Sequence, residues 1–384
     1  MPYNQHVATR SLYIHWPFCP YRCYCCPFIA LASHDQFMER YHKALTQEIN
    51  QFGQQGIKKL VLDTIYFGGG TPSTYPDELL LDTFAILNDI FVIQKNAEIT
   101  IEINPGTVNP EQLCLWSDIG INRLSIGVQS LKDNVLHKLN RLKKVEEVYS
   151  VIEHAQGVFH NISIDLILGL PGVSIEEWKD MLHQVVTWPI THIYMDIFMV
   201  HDNRPLYSRV KTEKVTLPCD DEVVDLYYWS RDFFADHGLQ QYEIASFSRP
   251  NFESQHNTVY WERKPYKGFG LGACSFDGKR RFQNEKNLIN YMEGIECGKE
   301  VTIFTEQLTK EQVRLEKIML GLRRSTGITW DELLTDLSVE QEQKCKNEVV
   351  QLKQRNVLRE HNGRLQLTSA GLVIENDIII RLSL

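Results

Sequence analysis

Between residues 11 and 200, short apolar runs alternate with longer segments whose apolar residues recur at helical spacing. The short runs predict strands at residues 12–15, 61–67, 99–103, 123–128, 163–168 and 192–198. The longer segments predict helices near residues 35–53, 76–92, 110–118, 145–157 and 175–188. Strands that alternate with helices form right-handed βαβ units and a parallel sheet. We therefore predict an α/β fold with an incomplete parallel (β/α) barrel, although the pattern alone leaves a doubly wound sheet open.

The pattern changes after residue 200. Residues 201–300 are less regular, with a helix near 220–237 and then an aromatic, glycine-punctuated segment over 242–276. From about residue 305, EQVRLEKIMLGLR, ITWDELLTDL and EQEQKCKNEVVQLKQRN predict three helices, followed by a hairpin that turns at Asn362–Gly363 and a last helix near Ser369. We predict three parts: a barrel over 1–200, an extension over 201–304 that completes one side of it, and a C-terminal winged-helix-like domain over 305–384.

The composition narrows the function classes. The chain has 384 residues and a formal net charge of −9, which argues against a main role in coating nucleic acid or anionic membranes. Basic residues of the predicted winged-helix-like part are interleaved with glutamates, so it lacks the net basic face that DNA binding needs. No leader-like segment and no membrane-length apolar run is visible, and we expect a cytoplasmic protein.

Four of the nine cysteines lie within residues 19–26, directly after the first predicted strand. This clustering in a chain without an export signal favours metal ligation over disulfides. The spacing C-x3-C-x2-C supplies Cys19, Cys23 and Cys26, while C-x3-C-x-C would use Cys25 in place of Cys26. A structural zinc site normally has four ligands. Three thiolates on a four-iron cluster leave one iron open for a ligand.

This loop resembles the signature of radical S-adenosylmethionine (SAM) enzymes. The segments YFGGGTPS, IEINPG, RLSIGVQS and DLILGLPG extend the resemblance to the branch of oxygen-independent coproporphyrinogen III oxidases, over residues 11 to about 200. The resemblance implies a barrel of the radical SAM type, a 4Fe–4S cluster on Cys19, Cys23 and Cys26, and SAM on its open iron. It also implies a set of SAM-contacting residues: Tyr13, Gly69, Gly70, Thr71, Glu102, Gln129, Arg141 and Asp165.

Two features divide that branch into true oxidases and a haem-chaperone subfamily. The oxidase pattern continues to C-x3-C-x2-C-x-C, whereas Phe28 stands at the last position here. HNTVYW (256–261) matches the HNxxYW motif that the chaperone subfamily links with haem, which implies a haem site at His256, Asn257, Tyr260 and Trp261. An imidazole can ligate haem iron and aromatic rings can face a macrocycle. The alternative is a packed aromatic segment with a hydrogen-bonded histidine.

The resemblance therefore implies a haem-binding chaperone that carries haem as cargo and delivers it to acceptor haemoproteins, respiratory ones included. The alternative is an oxygen-independent coproporphyrinogen III oxidase, a SAM-dependent enzyme that decarboxylates porphyrinogen propionates. If SAM is cleaved, an electron donor such as a flavodoxin or ferredoxin is required. Whether the chain forms a homodimer is left open.

Overall fold

The computed structural model describes residues 9–24, 26–54, 59–202, 205–212 and 214–383. In the first part of the chain, the strands are β1 Ser11–Trp16, β2 Phe18–Cys19, β3 Leu31–Ala32, β4 Val61–Gly69, β5 Val92–Ile103, β6 Arg123–Gln129, β7 Asn161–Leu168 and β8 His192–Ile197. The helices are α1 Met38–Gln54, α2 Asp77–Ile90, α3 Pro110–Asp118, α4 Asp133–Lys138, α5 Val145–Ala155 and α6 Ile175–Val185. All six predicted strands and five predicted helices are confirmed, while α4 was not predicted.

The remaining elements follow in two groups. The middle of the chain forms α7 Pro205–Lys211, α8 Asp220–Asp236, β9 Gln240–Glu243, β10 Ser246–Ser248, α9 Gln255–Trp261, β11 Lys267–Phe269, β12 Cys274–Phe276, β13 Arg280–Asn284, α10 Leu288–Glu296 and β14 Thr302–Gln307. The C-terminal part forms α11 Lys310–Arg323, β15 Ile328–Thr329, α12 Trp330–Leu334, α13 Val339–Gln354, β16 Leu358–His361, β17 Arg364–Leu367, α14 Ser369–Val373 and α15 Glu375–Ser383. No helix in the described ranges is long and apolar enough to cross a membrane.

The main sheet has the strand order β11-β1-β4-β5-β6-β7-β8-β10-β9. The pairs from β11 to β8 are parallel, and β10 then pairs antiparallel with both β8 and β9. Among the described residues no ladder joins β9 to β11, so the sheet is an incomplete barrel, as predicted. The middle of the chain adds strands to both of its edges.

Side chains along the barrel strands alternate with period two, as strand geometry requires. In β6, Leu124, Ile126 and Val128 belong to the main hydrophobic core, which also contains the apolar faces of the surrounding helices. The intervening residues of β6 are polar or glycine and point into the barrel, where they line a cavity. The inward-facing residues of β8, and those of β7 apart from Ile167, are likewise polar, so the barrel has an apolar outer layer and a largely polar interior.

The glycines at alternate positions in GFGLG bring the chain against the barrel edge. Gly268 and Phe269 in β11 pair with Tyr13 and Ile14 of β1. Gly270 has φ +101°, and a Cβ there would lie 2.5 Å from the hydroxyl oxygen of Tyr41. Only glycine fits this approach. The segment is thus part of the barrel wall.

The C-terminal part has a separate hydrophobic core, which spans residues 318–382. Its three-stranded sheet, β15-β17-β16, packs with α11, α12 and α13 in a winged-helix-like arrangement. Asn362 and Gly363 both have positive φ, 49° and 71°, which is the two-residue hairpin turn expected from their sequence. The limits of the three predicted parts stay a prediction.

A buried ion pair joins the C-terminal part to the barrel. Arg323 at the end of α11 lies 2.7 Å from the carboxylate of Glu243, whose side chain is fully buried. Removal of one partner of a buried pair leaves the other charge uncompensated, which is strongly destabilising. We expect Arg323→Gln to lower the free energy of unfolding by about 3 kcal/mol in urea denaturation at neutral pH. The exposed Arg355, changed to Gln, is the matched control, and equal stability of the two variants would contradict the prediction.

Candidate functional site

A cavity of about 500 Å³ opens inside the barrel, at the carboxyl ends of the strands. Its volume falls in the range of small-molecule sites, about 300–1,000 Å³. Most of the predicted site residues line it: Cys19, Cys23, Cys26, Gly69, Gly70, Thr71, Glu102, Gln129, Arg141, Asp165, Asn257, Tyr260 and Trp261. Tyr13 and His256 do not.

Backbone and side-chain hydrogen bonds hold the cysteine loop against the barrel. The N–H of Tyr24 donates to the carbonyl of Leu139 at 3.0 Å, and the amide of Asn140 donates to the carbonyl of Arg22 at 2.8 Å. The hydroxyl of Thr71 donates to Sγ of Cys19 at 3.0 Å. Hydrogen bonds to sulfur stabilise a thiolate and tune the potential of an iron–sulfur centre. Thr71 therefore contacts the cluster loop directly.

The three cysteines of the loop line one cavity without converging on a single point. Among the described residues, no group of three His, Cys, Asp or Glu side chains is close enough to hold one metal ion. A 4Fe–4S cluster takes one thiolate on each iron, so its ligands need not converge on one point. Cys19, Cys23 and Cys26 all face the same cavity, as a cluster requires. Cys25, the alternative third ligand, lies outside the described residues.

The glycine turn after β4 allows the backbone to pass close to the cysteine strand. A Cβ at Gly70 would lie 2.4 Å from the carbonyl oxygen of Pro17, and Gly69 has φ +125°. The N–H of Gly70 donates to the carbonyl of Trp16 at 2.8 Å. The close approach explains why these positions are glycine, and it also brings Thr71 to Cys19.

Two carboxylates project from neighbouring parts of the barrel interior. Glu102 accepts hydrogen bonds from the hydroxyl of Tyr66 at 2.9 Å and the N–H of Gly69 at 3.2 Å. Burial, together with the nearby charge of Asp165, raises the pKa of Glu102 to about 7. Asp165 accepts from the hydroxyl of Ser125 at 3.2 Å, and burial raises its pKa to about 6. Both groups therefore change protonation within the range from weakly acidic to neutral pH.

Lys143 does not line the cavity, but it is a buried support of the cavity-lining end of β6 that the sequence did not reveal. Its ammonium donates to the carbonyl of Val128 at 2.9 Å and to Oε1 of Gln129 at 3.0 Å, and it also contacts the carbonyl of Gly127. Burial, together with the charge of Arg141, lowers the pKa of Lys143 well below its usual value. Gln129 has φ +59°, so this lysine satisfies backbone oxygens where the strand bends. A lysine side chain is usually exposed to solvent, and the surrounding sequence NRLKK gave no indication that this one is buried.

Tyr13 lies behind the cavity lining, and its predicted contact with SAM stays a prediction. Tyr13 stacks on Tyr66 with ring centroids 6.2 Å apart, and its hydroxyl is 2.9 Å from Nδ1 of His15. Tyr66, which was not predicted, lines the cavity and contacts Glu102. Tyr13 therefore supports a cavity residue and does not itself face the cavity.

HNTVYW forms the helix α9, and its side chains divide between two faces. Asn257, Tyr260 and Trp261 lie at helix spacings i, i+3 and i+4 and line the cavity. His256 is 0% exposed, and its ring nitrogens lie 2.8 Å from the hydroxyl of Thr64 and 2.7 Å from that of Tyr260. Burial lowers the pKa of His256 to about 3. Both ring nitrogens of His256 are thus engaged in hydrogen bonds, which is the arrangement of the alternative, a packed and hydrogen-bonded histidine. A haem contact of His256 stays a prediction.

Arg123 is the central cation of the barrel interior and was also missed. It is 2% exposed, lines the cavity and lies 4.0 Å from the carboxylate of Glu98. Glu98 in turn accepts from the N–H groups of Gln255 and His256 at 3.0 and 2.9 Å, at the start of α9. Side chains two residues apart on a strand point to the same side, so Arg123 faces the same side of β6 as Gln129. This alternation could have revealed Arg123 from the sequence.

Comparisons with known proteins agree with this architecture. The Radical SAM superfamily model matches residues 13–185, and the HemN C-terminal domain model matches residues 308–374. The solved structure of coproporphyrinogen III oxidase (HemN) from Escherichia coli, a radical SAM enzyme, aligns with a TM-score of 0.83 at 22% identity, covering 99% of this chain and 92% of that one. At this identity the likeness establishes the fold.

Sequence relatives define the family more narrowly. The haem chaperone HemW of Synechocystis sp. is 32% identical over 352 residues, which cover 89% of this chain and 84% of the relative. The haem chaperone HemW of Lactococcus lactis subsp. lactis is 29% identical over 373 residues, or 96% of each chain. The cavity, the cysteine loop and these relatives lead to one conclusion: the chain belongs to the radical SAM superfamily, as a HemN-like protein close to HemW.

Proposed function

We propose that this chain is a haem chaperone that binds a 4Fe–4S cluster, SAM and haem, and that it delivers haem to acceptor haemoproteins. The observation that carries the proposal is that the aromatic side chains of Tyr260 and Trp261 line the same cavity as the three loop cysteines. Relatives of matching length are haem chaperones by name, which supports haem as the cargo. Respiratory acceptors and a cytoplasmic location stay predictions, and a homodimer stays open.

The cavity residues suit a cluster with SAM beside it. Cys19, Cys23 and Cys26 would hold the cluster, and a bound cluster with SAM supplies one-electron radical chemistry. The carboxylates of Glu102 and Asp165 would accept hydrogen bonds from hydroxyl groups of SAM. Thr71 would keep its contact with the sulfur of Cys19. The need for an electron donor such as a flavodoxin or ferredoxin depends on whether SAM is cleaved.

The aromatic face of α9 suits a flat apolar ligand. Tyr260 is fixed by its hydrogen bond to His256, and the guanidinium of Arg323 lies 4.4 Å from the centre of the Trp261 ring. A side chain held in one orientation loses less entropy when a ligand packs on it. His256 would thus act by positioning Tyr260.

The alternative function is oxygen-independent coproporphyrinogen III oxidase. The favourable observation is that Arg123 and Arg141 line the cavity, because their guanidinium groups would pair with propionate carboxylates. Against it stands Phe28, which is 65% exposed and lines the cavity where the oxidase pattern has a further cysteine. The chaperone reading accounts for both Phe28 and the aromatic face of α9.

The first prediction of this proposal concerns the cluster. Anaerobically reconstituted protein should contain about four irons per chain, and Cys19→Ala, Cys23→Ala or Cys26→Ala should each abolish the cluster absorption, because thiolates hold it. Cys25→Ala should retain it, and the exposed Cys297, changed to Ala, is the control. Retention in Cys26→Ala with loss in Cys25→Ala would identify Cys25 as the third ligand.

A second prediction concerns SAM. Glu102→Ala and Asp165→Ala should each weaken SAM binding in calorimetry without changing the iron content. Because an ionised carboxylate is the better acceptor and the pKa of Glu102 is raised to about 7, affinity should rise from pH 6 to pH 8. Glu102→Gln should flatten this profile, whereas the exposed Glu153, changed to Gln, should not. Unchanged affinity in both alanine variants would remove these residues from the site.

The third prediction tests haem binding itself. Titration of haem into reconstituted protein should saturate at about one equivalent in Soret difference spectra. Trp261→Ala should weaken binding by about 1–3 kcal/mol through lost apolar contact. Trp188→Ala, which removes a tryptophan remote from the cavity lining, should leave the titration unchanged.

Two results would contradict the proposal. Absence of saturable haem binding by the wild type would exclude a haem carrier. Formation of vinyl product in an anaerobic assay with coproporphyrinogen, SAM and a reductant would favour the oxidase alternative.

A further inference from the structure

The haem site of the proposed function lacks an iron ligand if His256 is excluded. Protein ligands to haem iron are the nitrogen of His, the thiolate of Cys, the thioether of Met and the phenolate of Tyr. His256 has both ring nitrogens in hydrogen bonds and is 0% exposed. Either hydrogen bond would have to break, and Tyr260 would have to move, before this imidazole could reach the cavity. Another side chain of the cavity must therefore be considered.

The histidines that line the cavity are His192 and His201. The ring nitrogens of His192 lie 2.7 Å from the hydroxyl of Ser163 and 2.9 Å from that of Tyr242, and this side chain is buried. The ring of His201 makes no hydrogen bond to any of the described residues and is half-buried at the cavity. Among the described residues, His201 is thus the cavity-lining imidazole whose ring nitrogens are not already held by hydrogen bonds, and Asp196 is the charged group near it.

The cavity tyrosines are poor alternatives. Burial raises the pKa of Tyr260 well above its usual value, and the hydroxyl of Tyr260 is hydrogen-bonded to His256. Burial and the charges of Asp196 and Glu243 also raise the pKa of Tyr194. Haem iron binds the phenolate, which neither side chain readily forms. The other two tyrosines of the cavity lining, Tyr21 and Tyr66, donate to Asn104 and Glu102, and burial raises the pKa of both. The three loop thiols, for their part, are those proposed for the cluster.

The position of His201 matches that of a ligand at the cavity mouth. It follows β8 by four residues, and the segment is anchored because the N–H of Phe198 donates to the carbonyl of Leu168 at 2.8 Å. Met199, in the same segment, is 62% exposed and also lines the cavity. Its apolar side chain would pack on a flat apolar ligand in the cavity. The segment after β8 and the aromatic face of α9 are thus two walls of one cavity.

We propose that His201 is the axial ligand of the haem iron, with the macrocycle packed between the aromatic face of α9 and the segment that follows β8. Met199 contacts the same macrocycle and stands next to the iron ligand. The proposal rests on the proposed haem-binding function but assigns its metal contact to a residue outside the HNxxYW motif. His256 then acts only through Tyr260.

The test compares His201→Gly with His256→Gln in the reconstituted full chain, by magnetic circular dichroism of the haem bands, which separates them from cluster absorption. His201→Gly should lose the nitrogen-ligand signature and bind haem about tenfold more weakly. Added imidazole should restore the signature in His201→Gly, because it can occupy the vacated position. His201→Cys should instead give a thiolate-ligand spectrum. The exposed His160, changed to Gly, is the control.

The outcomes separate this inference from the proposed function. Wild-type haem binding with an unchanged signature in His201→Gly would overturn the role of His201 and leave the chaperone function intact. Loss of the signature in His256→Gln with retention in His201→Gly would overturn it in favour of the motif histidine. Failure of the wild type to bind haem would instead overturn the proposed function. Loss in His201→Gly with imidazole rescue supports the assignment.

Discussion

The structure depends on the neutralisation of one buried cation. Arg123 is 2% exposed in the middle of the barrel, and its Nε lacks a hydrogen-bond partner among the described residues. An uncompensated buried charge costs several kcal/mol, so carboxylates must lie near it. Glu98, at 4.0 Å, is the nearest of these, and it also accepts the first N–H groups of α9. Glu98 therefore has two roles: it compensates the charge of Arg123 in the barrel interior, and it holds the N-terminus of α9, the helix that carries HNTVYW.

This arrangement explains how two functional surfaces come to share one cavity. α9 is held at its N-terminus by Glu98, and near its C-terminus the Trp261 ring lies under Arg323, which pairs with Glu243. Its cavity-facing side chains are consequently oriented from both ends. The opposite wall is set by the close approach at Gly70, which brings Thr71 to the sulfur of Cys19. Neither wall depends on a mobile surface contact, so the cavity exists before any ligand enters.

Much of this could be predicted from the sequence because it depends on local patterns. Strand and helix order followed from periodicity, and the cysteine loop and glycine turn followed from spacing. The residues that could not be interpreted from the sequence are those whose surroundings depend on contacts with distant parts of the chain. The period-two pattern could have exposed Arg123, but nothing local distinguished Lys143 from a solvated lysine, because its burial depends on the bend at Gln129. The environment of His256 depends on Thr64, 192 residues earlier in the chain, and such a contact has no local signature.

The histidines of the barrel illustrate why residue identity does not determine chemical role. His192 and His256 are each held between two hydroxyl groups, and burial lowers the pKa of both. They are neutral, rigid supports that position Tyr242 and Tyr260. A motif defined by such a histidine can thus contribute to ligand binding through the aromatic rings that the histidine orients, without contact between the imidazole and the ligand. Binding by apolar faces is non-directional, and it can hold a flat ligand while leaving the choice of metal ligand to another part of the cavity. Under the proposed chaperone function, binding would be divided between a rigid aromatic face and a separate metal ligand on a short loop segment. An acceptor could then replace the metal ligand while the aromatic face still held the macrocycle.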